Sequence, residues 1–281
     1  MARIDAADAA RADAPVPEQP ARRLAAFGWG MARLTSVVVL VAAWEAFARS
    51  GAVTPFVLPP PTDVLARIWT DAVTGDLWHN TGVTLYRALT GFAIAAVAGI
   101  ALGMAIHRIA PIRWFFDPIV SVGFPMPKIA FLPVVILWLG VFDVSKITMV
   151  VFDAIFPVVT ATIIGLQGVD RVLLWSARNM GAKEPELLWQ ISLPAALPQI
   201  MTGLQVALPI ALIVAILAEM VMGGYGLGGG MMTASRYADS RGVFAGIVEI
   251  AAVGYVLVNA MMLIRRRLLL WHQEALAPST V

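Results

Sequence analysis

Four ionisable residues lie inside long apolar runs of this 281-residue chain: Lys128, Asp153, Glu219 and Glu249. A charge at membrane depth is costly and usually faces a bundle interior or water, so each marks either a pathway or a structural pair. Lys128 and Asp153 fall at comparable depth in successive runs that would cross in opposite directions. That placement suits an ion pair, and it equally suits a lysine that attracts an anionic solute. Breaking such a pair would leave an uncompensated charge, at a cost of about 3–5 kcal/mol. Glu219 precedes Met220-Val221-Met222-Gly223-Gly224 and reads as an interfacial carboxylate, with gating or contact to an external protein as the alternative.

None of these groups forms a catalytic set. The three histidines, His79, His107 and His272, are scattered, no HExxH occurs and there is no cysteine, so no catalytic residue, thiolate chemistry or metal centre is expected. The glycines Gly223, Gly224, Gly226 and Gly228 to Gly230 invite a nucleotide reading, but no G-x4-G-K-[ST] is present. Close backbone packing or a re-entrant turn accounts for them better, and with no ATP-binding motif any energy the chain uses must come from elsewhere.

The elements that would position these residues are membrane helices. With 59% hydrophobic and 14% charged residues, the chain is far from a soluble domain, where roughly a quarter are charged. Apolar runs long enough to cross a bilayer, about 20 residues each, recur at 34–47, 84–106, 116–139, 147–166, 201–222 and 243–264. Residues 1–30 read as a disordered cytoplasmic tail, 31–268 as the membrane domain and 269–281 as a second tail.

Several local features sharpen this outline. Glu45 sits near the outer end of the first run and reads as interfacial. Leu58-Pro59-Pro60-Pro61-Thr62-Asp63 is extended, because a residue before proline avoids the helical region, and Thr62 or Asp63 then caps a short amphipathic helix. Gly99 and Gly103 form a small-xxx-small pair that permits close helix contact. The 116–139 run carries Pro125, Pro127 and Pro133 near its middle, where prolines break the hydrogen-bond ladder. Arg22, Arg23, Arg33, Arg108, Arg113, Arg171, Arg178, Lys183 and Arg265 to Arg267 share one side if the N-terminus is inside. Only Arg49, Arg67, Lys146, Arg236 and Arg241 are left for the outer loops, so the basic bias predicts both termini in the cytoplasm.

The longest polar interruption, residues 167–200, then lies in the cytoplasm too. Val172 to Met180 can form a helix, Gly181 a hinge closed to residues with a Cβ, and Lys183 to Ile191 a second helix with Pro185 in its first turn. Pro194 and Pro198 are expected to disrupt the helix before the next apolar run. Within this loop Ala177, three residues, Gly181, nine residues and then Ile191-Ser192-Leu193-Pro194 form a fixed spacing.

That spacing resembles the EAA loop of ABC importer permeases, the element that docks into a groove on the ATP-binding subunit. Ala177, Gly181, Ile191, Leu193 and Pro194 match the pattern, Ser176 takes a small-residue place and Ala182 follows the glycine. Trp175 departs from it, standing where the family usually has Glu, so stacking or apolar contact would replace a charge contact. Leu58-Pro59-Pro60-Pro61-Thr62, the run from Pro125-Met126-Pro127-Lys128 to Trp138-Leu139-Gly140, and Gly226-Leu227-Gly228 are similar to the nitrate/sulfonate/taurine-type branch. That branch also includes permeases for bicarbonate and thiamine-precursor pyrimidines.

The resemblance implies an all-α polytopic membrane protein of the type I importer kind, with six transmembrane helices in a bacterial inner membrane. It implies a cytoplasmic ATPase dimer using ATP and Mg, a second copy of the permease and an extracytoplasmic solute-binding protein. No cofactor would be bound by this chain, and no nucleic acid. The rival readings are an ion-coupled secondary transporter, which suits broken helices carrying charges, and an intramembrane enzyme, whose catalytic pairs are missing.

Overall fold

The computed structural model describes residues 20–269, with side chains from residue 35 onward. Residues 1–19 and 270–281, which hold most of the two expected tails, lie outside the described residues. The described residues are predominantly helical, with no strand among them. Contacts divide the chain into two compact units, 1–62 and 63–281.

The first unit contains α1 (Pro20–Arg49). Its first eleven residues fall in the stretch expected to be disordered. The sequence PARRLAAFGWG starts with proline, tolerated in a first helical turn, and continues with good helix formers, so a helix is reasonable there. At the far end of α1, Glu45 is not a free interfacial carboxylate. Its oxygens accept from Arg49, from the Thr62 N–H (3.1 Å) and from Thr62 Oγ1 (2.9 Å). The cap expected from Thr62 or Asp63 is thereby reversed, because the following helix already starts at Pro61 and Glu45 satisfies an N–H of its first turn.

The second unit is built on α3 (Asp76–Arg108), α6 (Asp143–Gln167) and α9 (Leu193–Met222), with α6 packed along both of the others. Small residues set this packing. A Cβ on Gly91, Gly99 or Gly103 of α3 would stand 2.5, 2.9 or 2.7 Å from Val150, Val158 or Thr162 of α6. On α9, Ala207, Ala211 and Ala215 are fully buried at successive turns, and a Cβ on Gly203 would meet Ala161 at 2.3 Å. Close backbone approach of this kind holds membrane helices together where lipid offers no hydrophobic drive.

The run expected to cross at 116–139 is not one straight helix. It divides into α4 (Ala110–Gly123) and, after a 3-10 turn (Lys128–Phe131), α5 (Leu132–Leu139), with a 101° bend between them. Pro125 and Pro127 fill the break and cannot donate to a continuing ladder. Four helical runs among the described residues are long and apolar enough to cross a membrane: Asp76–Arg108, Asp143–Gln167, Glu184–Arg236 and Ser240–Leu268. Counting the bent pair as one span makes five. The 34–47 run lies within α1.

The remaining helices are short or peripheral. They are α2 (Pro61–Thr74), α7 (Arg171–Asn179), α8 (Glu184–Glu186), α10 (Leu227–Arg236) and the long α11 (Ser240–Leu268). α11 leaves its apolar surface almost wholly exposed and touches α10 and α9.

Candidate functional site

The 167–200 loop folds as a braced knob. Asp170 Oδ1 accepts from the Val172 N–H (2.8 Å) and caps α7. The helix ends on Gly181, whose φ of +90° closes a Schellman turn: the Ala182 N–H reaches Ala177 O (3.0 Å) and the Gly181 N–H reaches Arg178 O (2.9 Å). Glycine is required here by conformation and not by space, since a Cβ would meet nothing within 4 Å. Arg178 then bridges to Glu184 Oε1 (3.1 Å), and Glu186 accepts from the Lys183 N–H (2.8 Å) at the start of α8.

Beyond this point the expectation of a disrupted helix fails. Leu187–Ser192 forms a π-helical turn and runs without a gap into α9. Pro194 stands in the first turn of α9, where no N–H is needed, and the wider π turn leads into it. Pro198 is absorbed inside α9. In this knob Ala177 is buried, while Trp175 is 60% and Met180 84% exposed, and Val172, Leu173 and Trp189 are also open. Ile191 and Leu193 are half-buried, whereas Ser176, Gly181, Ala182 and Pro194 range from half-buried to exposed. The structure therefore brings the spaced positions into one braced element whose outer face mixes exposed apolar side chains with charged ones.

Lys128 sits at the 101° bend. Its Nζ is 2.9 Å from Asp153 Oδ1, donates to Phe124 O (3.2 Å) and stands 4.6 Å over the Phe156 ring. Lys128 is 5% exposed, so the carboxylate, the freed carbonyl and the ring together replace its water. Both members of the sequence-based pair are thus joined.

Glu219 departs most from expectation. It is fully buried rather than interfacial. Arg87 Nη1 donates to its Oε1 (2.7 Å), Thr84 Oγ1 to both oxygens (3.1 and 2.9 Å), and the Gly228 N–H to Oε2 (3.1 Å). Saturation of this kind is what lets a carboxylate stay deep in a low-dielectric interior. Gly226 leaves room for it, because a Cβ there would lie 2.4 Å from the carboxylate. Arg87 also donates to Tyr225 O (2.6 Å) and pairs with Asp143 (2.6 Å).

Lys146, expected in an outer loop, is 2% exposed and donates to Gly223 O (2.7 Å). The tight turn between α9 and α10 leaves that carbonyl without a helical partner. The glycine-rich segment is therefore a turn wrapped around a buried ion pair. Arg87 is absent from the sequence-based candidates, although an arginine three residues into the 84–106 run is a signal of the same kind as Lys128.

Beside this cluster an open cavity of about 520 Å³ is lined by Arg67, Asp71, His79, Asn80, Tyr225 and Glu249, among others. Arg67 is held by Asp71 (2.9 Å) and Asp239 (2.5 Å). Burial pulls the Asp239 carboxyl up, but the Gly242 N–H and the nearby Arg67 and Arg241 outweigh it and keep it below the usual value. Glu249 Oε1 is buried and has no hydrogen-bond partner among the described residues.

Packed membrane-length helices, a broken span and buried charge pairs define a multi-pass helical membrane protein. The chain belongs to the family described as the binding-protein-dependent transport system inner membrane component, whose profile matches residues 91–269. It is thus an ABC transporter permease, a transport subunit and not an enzyme. The chain is 30% identical to a taurine transport system permease protein of Escherichia coli (strain K12), over 85% of this chain and 89% of that protein. It is 32% identical to a putative aliphatic sulfonates transport permease protein of Bacillus subtilis (strain 168), over 92% and 93%.

Solved structures share the fold. A chain of an inward-facing methionine ABC transporter aligns with TM-score 0.58 at 18% identity, over 70% of this chain and 95% of that one. A chain of an amino acid ABC transporter aligns with TM-score 0.61 at 16% identity, over 71% and 97%.

Proposed function

We propose that this chain is the membrane subunit of a type I, ATP-driven importer, with six spans and both termini in the cytoplasm of a bacterial inner membrane. An ATPase dimer docks on the 167–200 knob, two permease copies surround one pathway, and an extracytoplasmic binding protein delivers the solute at the Gly223–Gly230 end. The observation that carries this reading is the knob itself. Its cap, Schellman turn and Arg178–Glu184 bridge make it rigid, and its exposed face offers Trp175, Met180 and Trp189 to a partner. A rigid element can pass the movement of a closing ATPase dimer into α6 and α9, whereas a flexible loop would absorb it. The family does not favour the ion-coupled alternative.

Co-purification with the ATPase subunit tests the docking. Wild type should retain it, and Gly181→Asp should lose it while inserting normally, because aspartate is strained at φ +90° and nothing else in the turn is crowded. If wild type binds no ATPase, the reading falls.

The solute is a small sulfonate-type anion, a choice supported by the relatives named for taurine and aliphatic sulfonates. Lys128 and Asp153 serve as a structural pair at the bend. Uptake by the assembled system should be competed by alkanesulfonates and not by nitrate, bicarbonate or a pyrimidine; competition by one of those instead would replace the sulfonate assignment. In the same assay, loss of transport in Lys128→Met with assembly and ATPase activity intact would move Lys128 from the pair to the pathway.

A further inference from the structure

α2 is apolar on two sides: Val64, 2% exposed, and the half-buried Ile68 pack inward, and a second apolar stripe faces out. Its charged stripe, Asp63, Arg67 and Asp71 at four-residue steps, turns onto the protein: Asp63 pairs with Arg241 (2.9 Å), and Arg67 pairs with Asp239 (2.5 Å) and Asp71. The stripe on the far side is apolar and open, with Leu65 61%, Trp69 72% and Val73 70% exposed. These three also recur at four-residue steps, so they form one continuous ridge. A water-facing helix would carry polar residues at these outward positions, with its apolar residues packed inward as Val64 is.

Two further observations say what covers the ridge. First, polar hydrogens near it are already satisfied from within. Thr70 Oγ1 donates to Ala66 O (3.0 Å) and Trp78 Nε1 donates to Ala72 O (3.1 Å), leaving little that needs water. Second, the ridge is continuous with a membrane helix. Trp78, 67% exposed, stands in the first turns of α3 while its indole ties back to the end of α2, and the open face of α3 continues through Tyr86, Leu89 and Val97. At 14 residues α2 is about 21 Å long, too short to cross a bilayer. A helix of this length, with one apolar ridge ending in tryptophan beside a spanning segment, matches the geometry of an interfacial helix.

We propose that α2 lies flat in the interfacial layer of the bilayer, with Leu65, Trp69, Val73 and Trp78 in the acyl boundary. Its ionic face clamps the turn between α10 and α11 through Arg67–Asp239 and Asp63–Arg241. Lipid contact on one side and ion pairs on the other thus hold one wall of the Arg67-lined cavity at a set depth.

The chain contains no cysteine, so single cysteines can be introduced and spin-labelled without removing others. Full-length protein carrying Leu65→Cys, Trp69→Cys or Val73→Cys would be reconstituted in phosphatidylcholine–phosphatidylglycerol vesicles, with Ala66→Cys and Thr70→Cys on the adjoining edge for comparison. Collision rates would be read with oxygen, which concentrates in lipid, and with a water-soluble nickel chelate. The ridge labels should favour oxygen several-fold over their neighbours and report a shallow depth. Nickel access equal to that at Thr70 would place the ridge in water and overturn the proposal. Low access to both reagents would show a protein cover, a second copy or a binding protein, and would overturn it as well. Three ridge positions keep the test decisive if one variant fails to insert.

Discussion

At the scale of single residues, the buried carboxylate Glu219 is the residue on which the Gly223–Gly230 turn depends. It is fully enclosed, and its partners come from two separate stretches: Thr84 and Arg87 on α3, and the Gly228 N–H of α10. Removing one partner of a buried ion pair strands the other, so Arg87→Met should lower stability by about 3–5 kcal/mol. Arg87→Met with Glu219→Met should recover much of that loss, because no buried charge is left unpaired: Asp143, the other partner of Arg87, is half exposed to water. Thermal melts of the solubilised variants decide it; a double variant as unstable as the single one would show that Glu219 acts through Thr84 and Gly228 alone. The Lys128–Asp153 pair differs in kind. Asp153 remains a quarter exposed, so water can soften the consequence of losing its partner.

At the scale of elements, glycine and alanine decide how closely α3, α6 and α9 approach. Gly91→Ala would push a methyl group to 2.5 Å from Val150, and overpacking of this kind costs about 1–3 kcal/mol. Gly82 on the same helix has nothing within 4 Å of an added Cβ. Gly82→Ala should therefore be neutral or stabilise by up to about 1 kcal/mol. A matched pair of melting curves separates packing from helix propensity, since both changes make the same chemical replacement in one helix. Prolines act at this scale as well, and their outcome depends on neighbours. Pro125 and Pro127 open a 101° bend, while Pro194 and Pro198 sit in a helix that continues through a π turn.

At the scale of the whole molecule, α9 connects the 167–200 knob to the glycine turn over 30 residues, about 45 Å. Its two ends should therefore open on opposite sides of the membrane. Met180 and Tyr237 are both more than 80% exposed and can report this. In sealed vesicles of known orientation, Met180→Cys should react with an impermeant thiol reagent only from the cytoplasmic side and Tyr237→Cys only from the other. Labelling of both from one side would refute the proposed topology.

Composition and periodicity alone were enough for a helical membrane protein, for most of its apolar runs, and for the spacing that marks the 167–200 loop. These properties follow from the local chemistry of each segment: bilayer length, proline and glycine placement, and helix capping are all written in neighbouring residues. The partners of Glu219 could not be read in that way. Its depth depends on Arg87, 132 positions away, and on a glycine turn whose shape follows from the packing of α9 against α3. For the same reason Lys146 reads as a loop lysine until the Gly223 carbonyl is brought to it. The ionic contacts of α2 are a tertiary outcome too, because only the position of Asp239 and Arg241 gives Arg67 and Asp63 their partners. Charges in an apolar chain announce that they need partners, and folding alone determines which partners they find.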